Sequence, residues 1–205
     1  MFYFDFDGTL ADVWQRYYRV FCDASQITGI SLEEYIRVKK EFPRDSDVAR
    51  IFGGTLPEDY FAKKRDMLED LNYLAYDRLL LPKEKICAFF QEHTCRILTN
   101  RRNAAAFRRQ LAMLGLDSLV DMAIVLNPDE KIKKVQYLQS VHPDEPFYLV
   151  GDAEAEAQVA VMDTAKVFLV RTGLRHPESL PNVEKCCIID NTEVFMNDFK
   201  EITSL

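Results

Sequence analysis

The residues best equipped to do chemistry stand together near the N-terminus, in Phe4-Asp5-Phe6-Asp7-Gly8-Thr9-Leu10-Ala11-Asp12. Asp5 and Asp7 are two positions apart, so in an extended chain their carboxylates start from the same side. Gly8 then permits a sharp turn or a close backbone approach. Acids this close repel each other, which favours a bound cation or different protonation states on the two groups. The other reactive side chains are dispersed. His93, His142 and His176 are too far apart for a local ligand motif and read as structural or surface residues. Cys22, Cys87, Cys95, Cys186 and Cys187 form no C-x-x-C pair and read as free thiols of a reducing cytoplasm.

Those aspartates leave a short apolar run, Phe2 to Phe6, which the pattern predicts to be a strand. Further strands are expected at Arg96 to Thr99, Met122 to Leu126, Phe147 to Val150, Val167 to Val170 and Cys186 to Ile189. Between them lie stretches of helical spacing, Ala104 to Leu116 and Asp129 to Gln139. From residue 95 onward this alternation suits right-handed crossovers and a mostly parallel sheet with helices on both faces. In such a sheet, ligands bind at the carboxyl ends of the strands, which is where Asp5 and Asp7 would sit. Residues 14–80 break the rhythm. They hold no convincing strand and read as helices at Trp14 to Asp23, Leu32 to Lys40 and Pro57 to Leu74, interrupted by a Gly53-Gly54 turn. The expected architecture is therefore α/β: a three-layer, Rossmann-like core (1–13 and 81–205) with a small all-helical insertion (14–80) after the first strand.

D-x-D-G-T-L-x-D resembles the first signature of the haloacid dehalogenase superfamily in its phosphatase-type branch, phosphoglycolate phosphatase-like members included. The resemblance extends through the core. Ile97-Leu98-Thr99-Asn100 is similar to the second motif, an apolar strand ending in a hydroxyl residue. A lysine opening a helix is the third; Lys131, Lys133 and Lys134 compete, and Lys131 is preferred because Val135 and Leu138 follow it at helical spacing. Tyr148-Leu149-Val150-Gly151-Asp152 is similar to the fourth. There the family's usual second aspartate is replaced by Glu156, with Glu154 as an alternative.

This resemblance implies a Mg²⁺-dependent phosphatase acting on a small phosphorylated metabolite through an aspartyl-phosphate. Asp5 would be the nucleophile and Asp7 the general acid and then base. Thr99, Asn100, Lys131 and N–H groups near Gly8 would hold the transferred phosphoryl group. The metal ligands would be the Asp5 and Asp152 carboxylates and the Asp7 backbone carbonyl, with Glu156 reaching the metal through water or bonding the lysine. The insertion resembles a helical cap that selects the leaving group, with Gly53 and Gly54 as a candidate substrate-binding loop. A phosphomutase, or a phospho-ligand-binding module without turnover, are the alternatives.

Composition narrows the field further. The 205 residues are 48% apolar and 12% aromatic, enough for a sizeable core in one domain carrying a large insertion. A net charge of −7 argues against non-specific nucleic-acid binding. There is no apolar run of about 18 residues to span a membrane, and the N-terminus has no basic segment of a signal peptide. A cytoplasmic monomer or homodimer is expected.

Overall fold

A computed structural model describes residues 1–130 and 133–202. The chain forms two compact units, Met1–Asp12 with residues 79–205, and Val13–Arg78. In chain order the elements are β1 (Phe2–Phe4), β2 (Ala11–Asp12), α1 (Trp14–Ser25), α2 (Leu32–Glu41), α3 (Asp45–Ile51), α4 (Tyr60–Met67), α5 (Leu71–Leu74) and β3 (Arg78–Leu79). They continue with α6 (Lys83–Glu92), β4 (Cys95–Asn100), α7 (Ala104–Met113), β5 (Ala123–Leu126), α8 (Lys134–Val141) and β6 (Phe147–Gly151). Last come α9 (Glu154–Ala157), β7 (Ala165–Val170), β8 (Cys187–Ile189) and α10 (Thr192–Ile202).

The core is a six-stranded sheet of order β5-β4-β1-β6-β7-β8 with parallel ladders throughout. Phe4 is level with Ile97 of β4 on one side and Val150 of β6 on the other. The chain builds outward from β1 through β4 to β5, then crosses back to β6 on the opposite side. That reversal opens a crevice beyond the carboxyl ends of the central strands.

Alternation along β1 decides what each face of the sheet meets. Phe2 and Phe4 turn to the helices that follow β3 and β8: Phe4 lies 5.8 Å from Phe89 of α6 and 5.8 Å from Phe195 of α10, both edge-on. Tyr3 turns to the other face, in a cluster with Leu138 of α8, Leu149, Ala157 and Val167. Edge-to-face rings contribute about 0.5–1.5 kcal/mol per pair beyond their area.

The insertion has a core of its own. Phe21 of α1 meets Tyr35 of α2 at 5.2 Å and Tyr60 of α4 at 6.3 Å, and Trp14 meets Tyr35 edge-on. Ser31 and Glu34 start α2 with a reciprocal capping box. Asp45, at the start of α3, ties the helices together: it accepts from Lys39 (2.5 Å), Tyr60 Oη (2.9 Å) and Lys64. Lys39 is thereby buried.

Several helix limits differ from the sequence pattern. The stretch expected as one helix over 57–74 is two, because the Asp70 carboxylate accepts from the Asn72 N–H (2.8 Å) and starts α5 afresh. Residues 45–51 form the unexpected helix α3. The helix expected from Asp129 starts only at Lys134. Ahead of it, the Asn127 side chain accepts from Asp129 N–H (3.0 Å) and its carbonyl from Glu130 N–H (3.0 Å), an Asx turn that diverts the backbone. β1 is shorter than the run over 2–6, because the chain turns after Asp5 and the Phe6 carbonyl accepts from Leu10 and Ala11 N–H groups.

Candidate active site

Asp5 leaves the end of β1 with its own N–H still donating to the Val150 carbonyl of β6 (2.8 Å). Asp152 follows the end of β6, and Glu156 is on α9 one turn later. These strand ends bring the Asp5, Asp152 and Glu156 carboxylates together, one oxygen from each lying within 4.8 Å of the others, all of them buried. Lys134, the first residue of α8, inserts its ammonium among them. Its Nζ is 2.7 Å from Asp5 Oδ1 and 2.5 Å from Glu156 Oε1.

Glycines make room for this cluster. A Cβ on Gly151 would run into the Glu156 side chain, and one on Gly173 into the Asp152 carboxylate. Gly8 has a φ of +74°, and a side chain there would meet both Asp152 and Gly173. The missing Cβ at 151 is what leaves room for the Glu156 side chain. Glu156 spends one oxygen on Lys134 and the other on the Ala153 N–H (3.1 Å). The loop after β7 closes the other side. The Leu174 N–H donates to Asp152 Oδ2 (3.1 Å), and Thr172 Oγ1 donates to the Gly8 carbonyl (2.6 Å).

Burial sets the electrostatics. It raises Asp5 to about 6, against the lowering effect of Lys134, with Glu156 and Asp7 pushing the same way as burial. Asp152 is pushed well above the ordinary carboxylate range by burial, then by Asp5 and Glu156. Burial alone would pull Lys134 down, but the two carboxylates more than reverse it and keep the ammonium charged. One lysine cannot neutralise three enclosed acids. An all-oxygen donor set in one buried cluster therefore suits a hard divalent cation, so the residues present fit Mg²⁺.

Thr99 is buried near the end of β4, beside β1, and Asn100 ends that strand in an exposed position. Asp7 is not one of the three clustered carboxylates; its Oδ1 accepts from Arg101 Nη2 at 2.5 Å. Lys131 lies outside the described residues, whereas Lys134 is the lysine in contact with Asp5. Gly53 and Gly54 end α3 in the insertion. Gly53 has a φ of +76°, and Gly54 packs so closely on Ile27 that a side chain would collide. Arg101, Thr172 and the Leu174 N–H were not anticipated from sequence. The one signal was that Arg101 directly follows a strand end already suspected of holding phosphate.

No protein-family model and no curated protein sequence matches the chain. Solved structures do. A HAD family hydrolase from Deinococcus radiodurans R1, solved with bound phosphate and sodium, matches with a TM-score of 0.70 at 13% identity, over 100% of this chain and 96% of that one. A predicted phosphoglycolate phosphatase from Haemophilus somnus 129PT matches with a TM-score of 0.66 at 19% identity, over 99% and 97%. A candidate beta-phosphoglucomutase from Thermotoga maritima matches with a TM-score of 0.62 at 14% identity, over 98% of both chains.

The chain has the fold of the haloacid dehalogenase-like hydrolases. Within this fold, Asp5, Thr99, Lys134 and Asp152 stand at or just beyond the carboxyl ends of neighbouring strands or at a helix start facing them.

Proposed function

We propose that the protein is a Mg²⁺-dependent phosphatase that hydrolyses a small phosphorylated metabolite through an aspartyl-phosphate on Asp5. The observation that carries this reading is the buried cluster of Asp5, Asp152 and Glu156 with Lys134 bonded to the nucleophile itself. Support also comes from the D. radiodurans protein of the same fold, which was solved with bound phosphate and sodium.

Asp5 and Asp152, with the Asp7 backbone carbonyl, would hold the metal. Bound there, Mg²⁺ would offset the negative charge that otherwise opposes approach of Asp5 to a phosphate dianion. In the first step an Asp5 oxygen forms a bond to phosphorus while the bond to the leaving oxygen breaks. Asp7 gives its proton to that oxygen. In the second step a water oxygen attacks phosphorus, its proton passes to Asp7, and the bond to Asp5 breaks. Lys134 holds Asp5 in place and, with Thr99 and Asn100, supplies donors toward the phosphoryl oxygens. Glu156 keeps Lys134 in position. Choice of the leaving group is assigned to the helical insertion, with Gly53-Gly54 as the candidate loop.

The test is phosphate release from a panel of phosphorylated metabolites, with and without Mg²⁺, for the wild type and Asp5→Asn. Mg²⁺-dependent release that falls by about 10⁴-fold or more in the variant is the expected result. Undiminished turnover in Asp5→Asn would remove the nucleophile from the scheme. A rearranged sugar phosphate without free phosphate would instead point to a phosphomutase.

A further inference from the structure

Arg101 is a buried cation that the scheme above leaves unused. It is 5% exposed and follows directly on β4. Its Nη2 bonds both Asp7 Oδ1 (2.5 Å) and the Oε1 of Gln110 (3.1 Å), itself fully buried in α7. The guanidinium lies over the Phe107 ring, 5.5 Å from its centroid, and that ring packs edge-on at 5.0 Å against Phe6, the residue between the two aspartates. Its backbone N–H is fixed as well, donating to the Leu126 carbonyl (3.0 Å). Helix α7 thus grips Asp7 from two directions, through Phe6 and through Arg101.

Stability alone is a poor reason for this arrangement. A buried ion pair often contributes no more than an apolar pair of the same volume. What an apolar residue cannot do is hold a carboxylate still. An aspartate side chain that is free to turn samples several rotamers, and an acid displaced by about 1 Å can lose on the order of 100-fold in rate.

We propose that Arg101 is a positioning residue for Asp7, fixing the side chain beside the leaving oxygen so that, when protonated, its carboxyl gives that oxygen its proton. The inference rests on the phosphatase reading and on the role given there to Asp7. It makes Arg101 matter in proportion to how much a leaving group needs that proton. An alkoxide needs it; 4-nitrophenolate leaves unaided. The same guanidinium also borders a cavity of about 260 Å³ with Arg102, Asn127 and Glu130. If Arg101 instead bound a substrate anion there, its loss would weaken binding irrespective of the leaving oxygen.

The test compares kcat/KM for a simple alkyl phosphate and for 4-nitrophenyl phosphate in Arg101→Met, Arg101→Lys, Asp7→Asn and the Arg101→Met/Asp7→Asn double variant, all with Mg²⁺. This constant reports the step in which the leaving group departs. Asp7→Asn is expected to lower the alkyl-to-aryl ratio by about 100-fold and Arg101→Met by about tenfold, with Arg101→Lys in between. In the double variant the ratio should equal that of Asp7→Asn alone. Equal losses on both esters in Arg101→Met, a rise in KM alone, or a further fall of the ratio in the double variant each overturn the positioning role. A wild-type ratio retained by Asp7→Asn overturns the acid role beneath it, and is read without any Arg101 variant. If Arg101→Met does not fold, Arg101→Lys keeps the charge and reads the same ratio against the wild type.

Discussion

At the scale of single residues, Lys134 carries more of the site than any other cation described. It bridges Asp5 and Glu156, positions 129 and 22 residues away in sequence. Replacing it by Met leaves both acids enclosed without their ammonium. Breaking a buried pair in this way costs about 3–5 kcal/mol, so urea denaturation of Lys134→Met in EDTA should show a loss of that order. Phosphate release should disappear in the same variant, while Lys131→Met and Lys133→Met retain most of it. A dead Lys131→Met beside an active Lys134→Met would return the role to Lys131. Helical spacing in the sequence favoured Lys131 among the three. Lys134 is the first residue of α8, and ahead of it the Asn127 side chain and carbonyl accept from the Asp129 and Glu130 N–H groups, a local turn that helical spacing does not register.

At the scale of elements, α2, α3 and α4 are fastened through Asp45, and this gives the insertion a pH signature. Burial pushes Asp45 up, but Lys64 and Lys39 more than reverse it, so the carboxyl titrates below its ordinary 3.8. A carboxyl lowered on folding adds stability above its unfolded value and loses it as the pH falls through the folded one. The stability difference between wild type and Asp45→Asn should therefore be constant, at about 3 kcal/mol, above roughly pH 5 and shrink below pH 4. Chemical denaturation across that range measures it; a difference that grows toward acid would contradict the assignment. The helical character of the insertion was legible from sequence, as were α1 and α2 nearly to the residue. Helix α3 was not, because its seven residues are held less by periodicity than by Asp45 and its partners. Nor was the break before α5, which follows from one capping carboxylate.

At the scale of the whole molecule, the reversal of strand order at β1 and β6 collects acids from distant segments at one end of the sheet. A cation bound only by the assembled cluster must stabilise the folded chain. Mg²⁺ at about 100 times its dissociation constant would add about 2.7 kcal/mol. Thermal unfolding should accordingly shift upward with Mg²⁺ and return with EDTA. Gly173→Ala, whose methyl would run into the Asp152 carboxylate, should remove the Mg²⁺ shift. A shift that persists in that variant would place the cation elsewhere. Among the described residues no helix is long and apolar enough to cross a membrane.

The sequence by itself determined the layered α/β core, the position of the helical insertion, and the strand ends bearing Asp5, Thr99 and Asp152. Each of these is written in short-range pattern: alternation over a few residues, a glycine after a paired carboxylate, an apolar run closed by Gly-Asp. Only the tertiary structure brought Lys134 to Asp5, made room for Glu156 where Gly151 has no side chain, and set Arg101 against Asp7. Those outcomes depend on side chains far apart in sequence arriving within about 3 Å of one another, a distance fixed by crossovers and helix starts rather than by local spacing.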